Sequence, residues 1–244
     1  MPFQQSFQPQ FRDSDPDGLI GLRGCLRWFQ DTHTWYMHAI DKGNDVIPER
    51  YGAAWVYTRY RVRVFHKMDY RGNVDIATWM EPYRQPVLVK QDFIIRQHGR
   101  VAAEGKLESC LFSLARQRPL KLSAVEFPEG MPEVIEADIP DFAVVQRTAE
   151  GMQPRYERAV RYADLDKNRH MNNLRYIEMF LDACDSAFWA DFAPVEAQIN
   201  FLTQSREGET LTVFSRAEGD ALHMAAAHAD GKLAAAAVFT RASQ

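Results

Sequence analysis

Apolar residues recur at steps of three and four along two stretches of the chain. The first stripe consists of Leu22, Leu26, Phe29, His33, Tyr36 and Ile40. The second consists of Leu174, Ile177, Leu181, Cys184 and Phe188. Because an α-helix turns once every 3.6 residues, each stripe covers one helix face. The pattern predicts one helix from Leu22 that stops before Gly43–Asn44, and another from Leu174 to Phe188.

Strand-like segments follow each predicted helix. Tyr60, Val62 and Val64 alternate with arginines, which is the period of a half-buried strand. Strands are predicted at 59–64, 73–79, 87–96, 100–113, 210–216, 221–228 and 232–241. The dipeptides His98–Gly99 and Asp230–Gly231 are typical of hairpin turns. A long helix followed by mostly antiparallel strands, found twice, predicts an α+β fold with a helix lying on a curved sheet in each half.

The two halves of the chain repeat each other. Residues 12–19 align with residues 163–170 at a shift of 151 positions, and both segments enter a predicted helix. A repeat of this length indicates duplication of a whole domain. We expect an N-terminal domain at 1–127, a linker rich in Pro, Glu and Gly at 128–154, and a C-terminal domain at 155–244.

Polar side chains are concentrated at the start of the second helix. Asp166, Asn168 and His170 alternate, so an extended or turn-like loop can direct them the same way. The unpaired N–H groups of a helix start, here near Asn172 and Asn173, suit an oxygen that gains negative charge. Capping explains one or two such side chains but not an imidazole with further amides. The segment therefore indicates a functional site.

Composition narrows the possible partners. The net charge of −4 argues against nucleic acid, and no apolar run reaches membrane-spanning length. Residues 1–12 lack the pattern of a signal or transit peptide, and the three cysteines are widely spaced as in reduced proteins, so we expect a cytoplasmic protein. His33 is interpreted as a core residue, and no histidine spacing or Gly-rich loop indicates a metal or cofactor.

Residues 164–177, DLDKNRHMNNLRYI, resemble the acyl-ACP thioesterase signature Asp-Leu-Asp-x-Asn-x-His-x-Asn-Asn-x-x-Tyr-Ile. Residues 55–59, 72–79 and 118–122 resemble further parts of that family, so the resemblance covers nearly the whole chain. It implies a double hotdog, meaning two tandem domains, each a long helix wrapped by a curved antiparallel sheet. Single-hotdog acyl-CoA thioesterases share a looser form of the motif.

The resemblance also implies site residues. The family's catalytic Asp, Asn and His fall on Asp166, Asn168 and His170. A further acidic residue and a neighbouring cysteine of the family fall on Gln204 and Ser205, and this departure puts a cysteine nucleophile in doubt. In the first copy Leu19 replaces His170 and Gly21 replaces Asn172, which predicts one active site per chain and an N-terminal domain that supplies the acyl pocket. The candidate pocket residues are Leu26, Trp28 and Phe29, although residues of this kind are more often plain core.

The resulting hypothesis is a thioesterase that releases fatty acid from acyl carrier protein, acting as a monomer or homodimer. Asp166 can act as a general base for water or as a direct nucleophile, and the sequence leaves both open. Because acyl carrier proteins are acidic, the arginines at 59, 61 and 63 are a candidate steering stripe. The alternatives are an acyl-CoA thioesterase, a hydratase or dehydratase, and a non-catalytic acyl-binding protein.

Overall fold

The computed structural model describes residues 2–82, 84–128 and 139–242. The chain divides into two compact units, Met1–Asp141 and Phe142–Gln244. No helix within the described ranges is both long and apolar enough to cross a membrane.

The described residues of the N-terminal unit form an antiparallel sheet and a long helix. Its elements are β1 (Phe3–Phe7), α1 (Leu22–Ala39), α2 (Ile47–Tyr51), β2 (Ala53–Val64), β3 (Val74–Met80), β4 (Leu88–Gln97), β5 (Arg100–Ser113) and β6 (Arg118–Pro119). The strand order is β1-β3-β4-β5-β2, and the short β6 pairs with β5. The predicted stripe on α1 is buried except for Ile40, which lies just beyond the helix and is half-buried.

The C-terminal unit repeats this arrangement. Its elements are β7 (Gln153–Ala159), α3 (Asn173–Leu181), α4 (Ser186–Phe192), β8 (Pro194–Phe201), β9 (Thr210–Glu218), β10 (Ala221–His228) and β11 (Leu233–Arg241). The strand order is β7-β9-β10-β11-β8, again antiparallel. Counted from the first strand of each unit, the two orders are identical, as the internal repeat predicts.

The prediction of one helix from Leu174 to Phe188 is wrong. Helix α3 ends at Leu181, and α4 begins at Ser186. The break occurs because the Asp185 carboxylate accepts the N–H of Phe188 at 2.8 Å, and this N-cap starts a new helix. Only the N-terminal unit therefore contains the single long helix expected in both halves.

The predicted strands are all present, and the described residues contain four others that were not predicted. The turn at His98–Gly99 is confirmed by positive φ angles of 52° and 75°. The unpredicted strands are β1, the two-residue β6, β7 and β8. Strands β1 and β7 lie at sheet edges and bury little, so they lack the alternation of buried apolar residues that reveals a strand.

The linker expected at 128–154 lies partly outside the described residues, at 129–138. Residues 139–152 contain no helix or strand, but they are not simply exposed. Val145 and Met152 are buried and pack into an apolar cluster with Ala225 and Leu233.

Two of the three arginines in the stripe on β2 are paired with glutamates of the neighbouring strand. Arg59 binds the Glu108 carboxylate through both Nε and a terminal nitrogen, and Arg63 lies 3.7 Å from Glu104. Because Glu104 and Glu108 lie on β5 beside these two arginines, most of the charge of the stripe is paired, which argues against the steering role expected for it.

A buried chain of hydrogen bonds crosses the N-terminal core. His33 is 1% exposed, and its Nδ1 lies 2.6 Å from Gln91 Oε1. The Gln91 amide nitrogen donates to Thr78 Oγ1 at 2.7 Å, and that hydroxyl donates to the Asp92 carbonyl at 2.7 Å. Because a carbonyl only accepts, the chain has one direction and Nδ1 of His33 carries the proton. The interpretation of His33 as a core residue is confirmed.

Burial lowers the pKa of His33 from 6.5 to about 4. Between these values the unfolded chain binds a proton that the folded protein does not, so this contribution to stability is present above pH 6.5 and is lost as the pH falls to about 4. The loss corresponds to roughly 3 kcal/mol. In urea denaturation, we expect His33→Gln to show a shallower dependence of stability on pH than wild type across this window. The exposed control His66→Gln should keep the wild-type dependence, and an unaltered dependence in His33→Gln would contradict the prediction.

Candidate active site

The loop before α3 is fixed at its base by Asp164. This residue is 4% exposed, its Oδ2 accepts the N–H of Arg161 at 2.9 Å, and its Oδ1 pairs with the Arg158 guanidinium. Its backbone carbonyl accepts the N–H of Asn172 at 2.8 Å. Asp164 thus ties the beginning of the loop to its end, which closes residues 165–171 into a compact turn.

Asp166 organises the interior of this turn. Its Oδ1 accepts the N–H of Asn168 at 2.8 Å and that of His170 at 3.4 Å. Its backbone N–H donates to the His170 carbonyl at 2.9 Å. The second carboxylate oxygen, Oδ2, accepts no hydrogen bond from the described residues. One oxygen therefore orients the half-buried carboxylate, and the other remains available to a substrate or water.

The structure brings the three predicted catalytic residues together through the backbone. Asp166 and His170 are half-buried, and Asn168 is exposed. The bonds that join them run from backbone N–H groups to the Asp166 carboxylate. Within the described part of the chain, the side chains of Asn168 and His170 are not hydrogen-bonded to that carboxylate or to each other.

The helix start distinguishes between the two asparagines. Asn172 is the N-cap, and its Oδ1 accepts the N–H of Leu174 at 2.9 Å. Its own N–H is donated to Asp164, so Asn172 has no backbone donor to offer an oxyanion. The N–H of Asn173 donates to no described acceptor and lies at the positive end of the nine-residue α3. Of the two predicted oxyanion-hole donors, the Asn173 N–H is therefore the better candidate.

Gln204 and Ser205 have different environments. Gln204 is exposed, whereas Ser205 is completely buried. The Ser205 carbonyl accepts the N–H of Met171, next to His170, at 2.8 Å. The Tyr176 hydroxyl donates to Ser205 Oγ at 2.7 Å. Ser205 therefore fixes the end of the loop through its carbonyl and the start of α3 through its hydroxyl.

A series of polar contacts continues beyond Ser205, and sequence reasoning missed it. Ser205 Oγ lies 3.4 Å from His228 Nε2, and His228 Nδ1 lies 3.6 Å from Glu209 Oε2. His228 also lines a cleft of about 590 Å³ together with Glu157 and Thr212. Burial raises the pKa of Tyr176 to about 12, so its phenol stays a donor to Ser205. Tyr176 lies in the recognised signature, but nothing in the sequence spacing connects it with His228.

The N-terminal unit contains the same loop with different side chains. The Asp15 N–H donates to the Leu19 carbonyl at 2.7 Å, as Asp166 does to His170. The Asp15 carboxylate, however, is bound by Arg23 Nε at 3.2 Å. Gly21 is the N-cap of α1 and provides no side-chain cap. This copy keeps the backbone but lacks the imidazole and the asparagine cap.

The predicted pocket residues Leu26, Trp28 and Phe29 are all buried in the N-terminal unit. Phe29 stacks on Phe93 with ring centroids 4.5 Å apart, and a Cβ at Gly105 would lie 2.1 Å from its ring. Such close packing is typical of core residues. The role of these three residues in acyl binding stays a prediction.

No group of three His, Cys, Asp or Glu side chains in the described ranges is arranged to hold a metal ion.

Comparison with known proteins identifies the class of enzyme. Residues 1–122 match the acyl-ACP thioesterase N-terminal domain, and residues 146–237 match the acyl-ACP thioesterase C-terminal domain. The chain therefore belongs to the acyl-ACP thioesterase family and is a thioester hydrolase. A search of curated protein sequences finds no match.

Two solved structures have a similar fold. An acyl-ACP thioesterase from Bacteroides thetaiotaomicron is 16% identical, with a TM-score of 0.81 over 98% of this chain and 96% of that one. The 12:0-ACP thioesterase from Umbellularia californica is also 16% identical, with a TM-score of 0.77 over the same shares. At this identity the likeness shows the fold alone.

The contact between Tyr176 and Ser205 yields a stability prediction. Ser205→Ala leaves a buried phenol without an acceptor, so we expect it to reduce the free energy of unfolding by about 1–3 kcal/mol. Adding Tyr176→Phe removes the unsatisfied group and should restore part of the loss. Urea denaturation of both single variants and the double variant measures this coupling. Strictly additive losses would contradict the contact.

Proposed function

We propose that Asp166, Asn168 and His170 hydrolyse the thioester of fatty acyl-acyl carrier protein to free fatty acid and carrier. The observation that carries the proposal is the asymmetric binding of the Asp166 carboxylate. Oδ1 is held by two backbone N–H groups of its own loop, and Oδ2 accepts none from the described residues. A carboxylate that is oriented on one side and available on the other suits a reacting group.

A thioester needs a nucleophile and a stabilised oxyanion more than it needs an acid. Its leaving group is a thiolate, and the free thiol has a pKa near 8.5. Asp166 Oδ2 would either take a proton from the attacking water or attack the carbonyl carbon itself. In the second case the C–S bond breaks, the thiolate leaves, and water then hydrolyses the resulting anhydride to free fatty acid and the Asp166 carboxylate. His170 would hold the water or protonate the departing thiolate, and Asn168 would orient the substrate carbonyl. The N–H of Asn173 would then stabilise the oxyanion.

A nucleophile at the position of the family's cysteine is less well supported. Ser205 is fully buried, and its hydroxyl contacts Tyr176 and His228. These contacts support an anchoring role for Ser205. Gln204 is exposed and cannot act as a base, so the proposal gives it no step beyond hydrogen bonding.

We also propose that the two units are the domains of a double hotdog, at 1–127 and 155–244. The identical strand orders and the matching loop hydrogen bonds support this reading. The chain passes from one compact unit to the other between Asp141 and Phe142, within the linker at 128–154. An acyl pocket in the N-terminal domain, and a monomeric or homodimeric state, stay predictions.

Thiol release from matched acyl-ACP and acyl-CoA panels tests the substrate and the site. Asp166→Asn keeps an oxygen that can accept the loop N–H groups but cannot accept a proton, so we expect kcat to fall roughly 10²–10⁴-fold with little change in Tm. His170→Ala should also lose most activity. Asp15→Asn, the same change in the N-terminal copy, is the matched control and should keep the wild-type kcat.

Each outcome of this experiment has a definite meaning. Near-normal turnover by folded Asp166→Asn would reject the proposed site. Equal or better wild-type turnover of acyl-CoA would favour the acyl-CoA alternative. If neither the acyl-ACP panel nor the acyl-CoA panel releases thiol, the proposal of thioester hydrolysis is rejected.

A further inference from the structure

Three basic residues lie within the candidate catalytic loop or shortly before it. Arg161 precedes its base, and Lys167 and Arg169 alternate with Asp166, Asn168 and His170. All three basic residues are exposed. Among the described residues, neither Arg161 nor Arg169 forms an ion pair. In contrast, the nearby Arg158 is paired with Asp164.

The N-terminal copy shows that the fold does not require these charges. At the shift of 151 residues, the equivalents of Arg161, Lys167 and Arg169 are Gln10, Pro16 and Gly18. One hydrogen bond at the base is nonetheless the same, because the Asp13 carboxylate accepts the N–H of Gln10 at 2.8 Å as that of Asp164 accepts the N–H of Arg161. One loop geometry is therefore built with three neutral residues in one copy and three cations in the other.

The backbone of Arg169 adopts the left-handed conformation. It has a φ of 61°, and its equivalent Gly18 has a φ of 80°. A left-handed backbone is unfavourable for a residue with a Cβ, and glycine adopts it freely. An exposed arginine kept in this conformation, with no ion pair to explain it within the described ranges, indicates that its side chain has a use outside the fold.

An exposed aromatic residue completes the surface. Tyr162 follows Arg161 directly and is 81% exposed. Tyrosine and arginine are enriched where one protein binds another, because both combine a large contact area with hydrogen-bonding groups. A lone phosphate would need the cations but not the aromatic ring.

We propose that Arg161, Tyr162, Lys167 and Arg169 form a docking surface for the acidic face of the acyl carrier protein. The proposal rests on the acyl-ACP hydrolysis proposed above. With a net charge of −4, the enzyme as a whole repels an acidic protein, so attraction must come from a local basic surface. Lys167 and Arg169 lie in the same loop as Asp166, and Arg161 and Tyr162 lie just before it, so a carrier bound there would deliver its thioester to the catalytic residues. These four residues replace the paired arginines of β2 as the candidate carrier contact.

Three thioesters with one acyl chain separate the possible roles of this surface: acyl-ACP, acyl-CoA and acyl-pantetheine, which has no phosphate. The variants are Arg161→Gln and Arg169→Gly, singly and together, each taking the residue of the N-terminal copy. We expect the double variant to reduce the kcat/KM ratio of acyl-ACP to acyl-pantetheine about tenfold or more, mainly through KM, and to weaken its salt dependence. Arg12→Gln, a change at an exposed arginine of the N-terminal loop, should keep the wild-type ratio.

Measurements of Tm test whether the variants raise KM merely because the loop unfolds. Arg169→Gly relieves the left-handed strain, so its Tm should not fall below that of wild type even as its KM for acyl-ACP rises. An unfolding loop would instead lower the Tm and reduce turnover of all three thioesters alike.

Several results would overturn the proposal. An equal loss with acyl-ACP and acyl-CoA but not acyl-pantetheine would assign the cations to a phosphate group. An equal loss with all three, or no loss at all, would also reject docking. Direct titration of holo-ACP, followed by fluorescence anisotropy, keeps the tests independent. If wild type binds the carrier through these residues but hydrolyses nothing, the proposed function fails and the docking surface stands, whereas binding that the double variant leaves intact rejects the surface.

Discussion

The loop that leads into the main helix of each unit depends on a buried aspartate, whose negative charge must be balanced by a nearby cation and by hydrogen bonds. Asp13 and Asp164 are about 5% exposed or less, and each accepts a backbone N–H three residues before it. Each is also paired with an arginine, Arg27 in one unit and Arg158 in the other. An unpaired buried charge would cost several kcal/mol, so each aspartate and its arginine must be kept together. Once this pair is in place, the path of the loop is largely determined.

A loop held at its base leaves the residues at its tip free to diverge. In the C-terminal unit the tip contains an imidazole, a capping asparagine and exposed cations. In the N-terminal unit the aligned tip contains Leu19, Gly18 and Gly21, and its two carboxylates, Asp15 and Asp17, are paired with Arg23 and Lys67. The two units thus share one loop scaffold, and the chemical differences between them lie in side chains outside the bond that the two bases share.

Features that depend on the spacing of neighbouring residues could be predicted from the sequence. Features that depend on contacts between residues far apart in the chain could not. The stripe on α1, the turn at His98–Gly99 and the helix-entry motif are all local patterns. The break between α3 and α4 was not predicted. Asp185 is identified as an N-cap by its hydrogen bond to the Phe188 N–H, and the sequence does not show that bond. The contact of Ser205 with His228 joins residues 23 positions apart, and the neutralisation of Arg59 needs Glu108 on another strand. Spacing along one chain does not show such pairs.

Gly21 adds a steric difference between the two loops. A Cβ at this position would lie 2.9 Å from Asp15 Oδ2, and Arg23 holds that carboxylate in place. An asparagine could occupy the N-terminal helix start only after the carboxylate had shifted. Transfer of the polar side chains of the C-terminal loop to the N-terminal loop would therefore require coordinated changes at Gly21, at Leu19 and at the Asp15–Arg23 pair. No single substitution supplies the asparagine cap, the imidazole and an unbound carboxylate together.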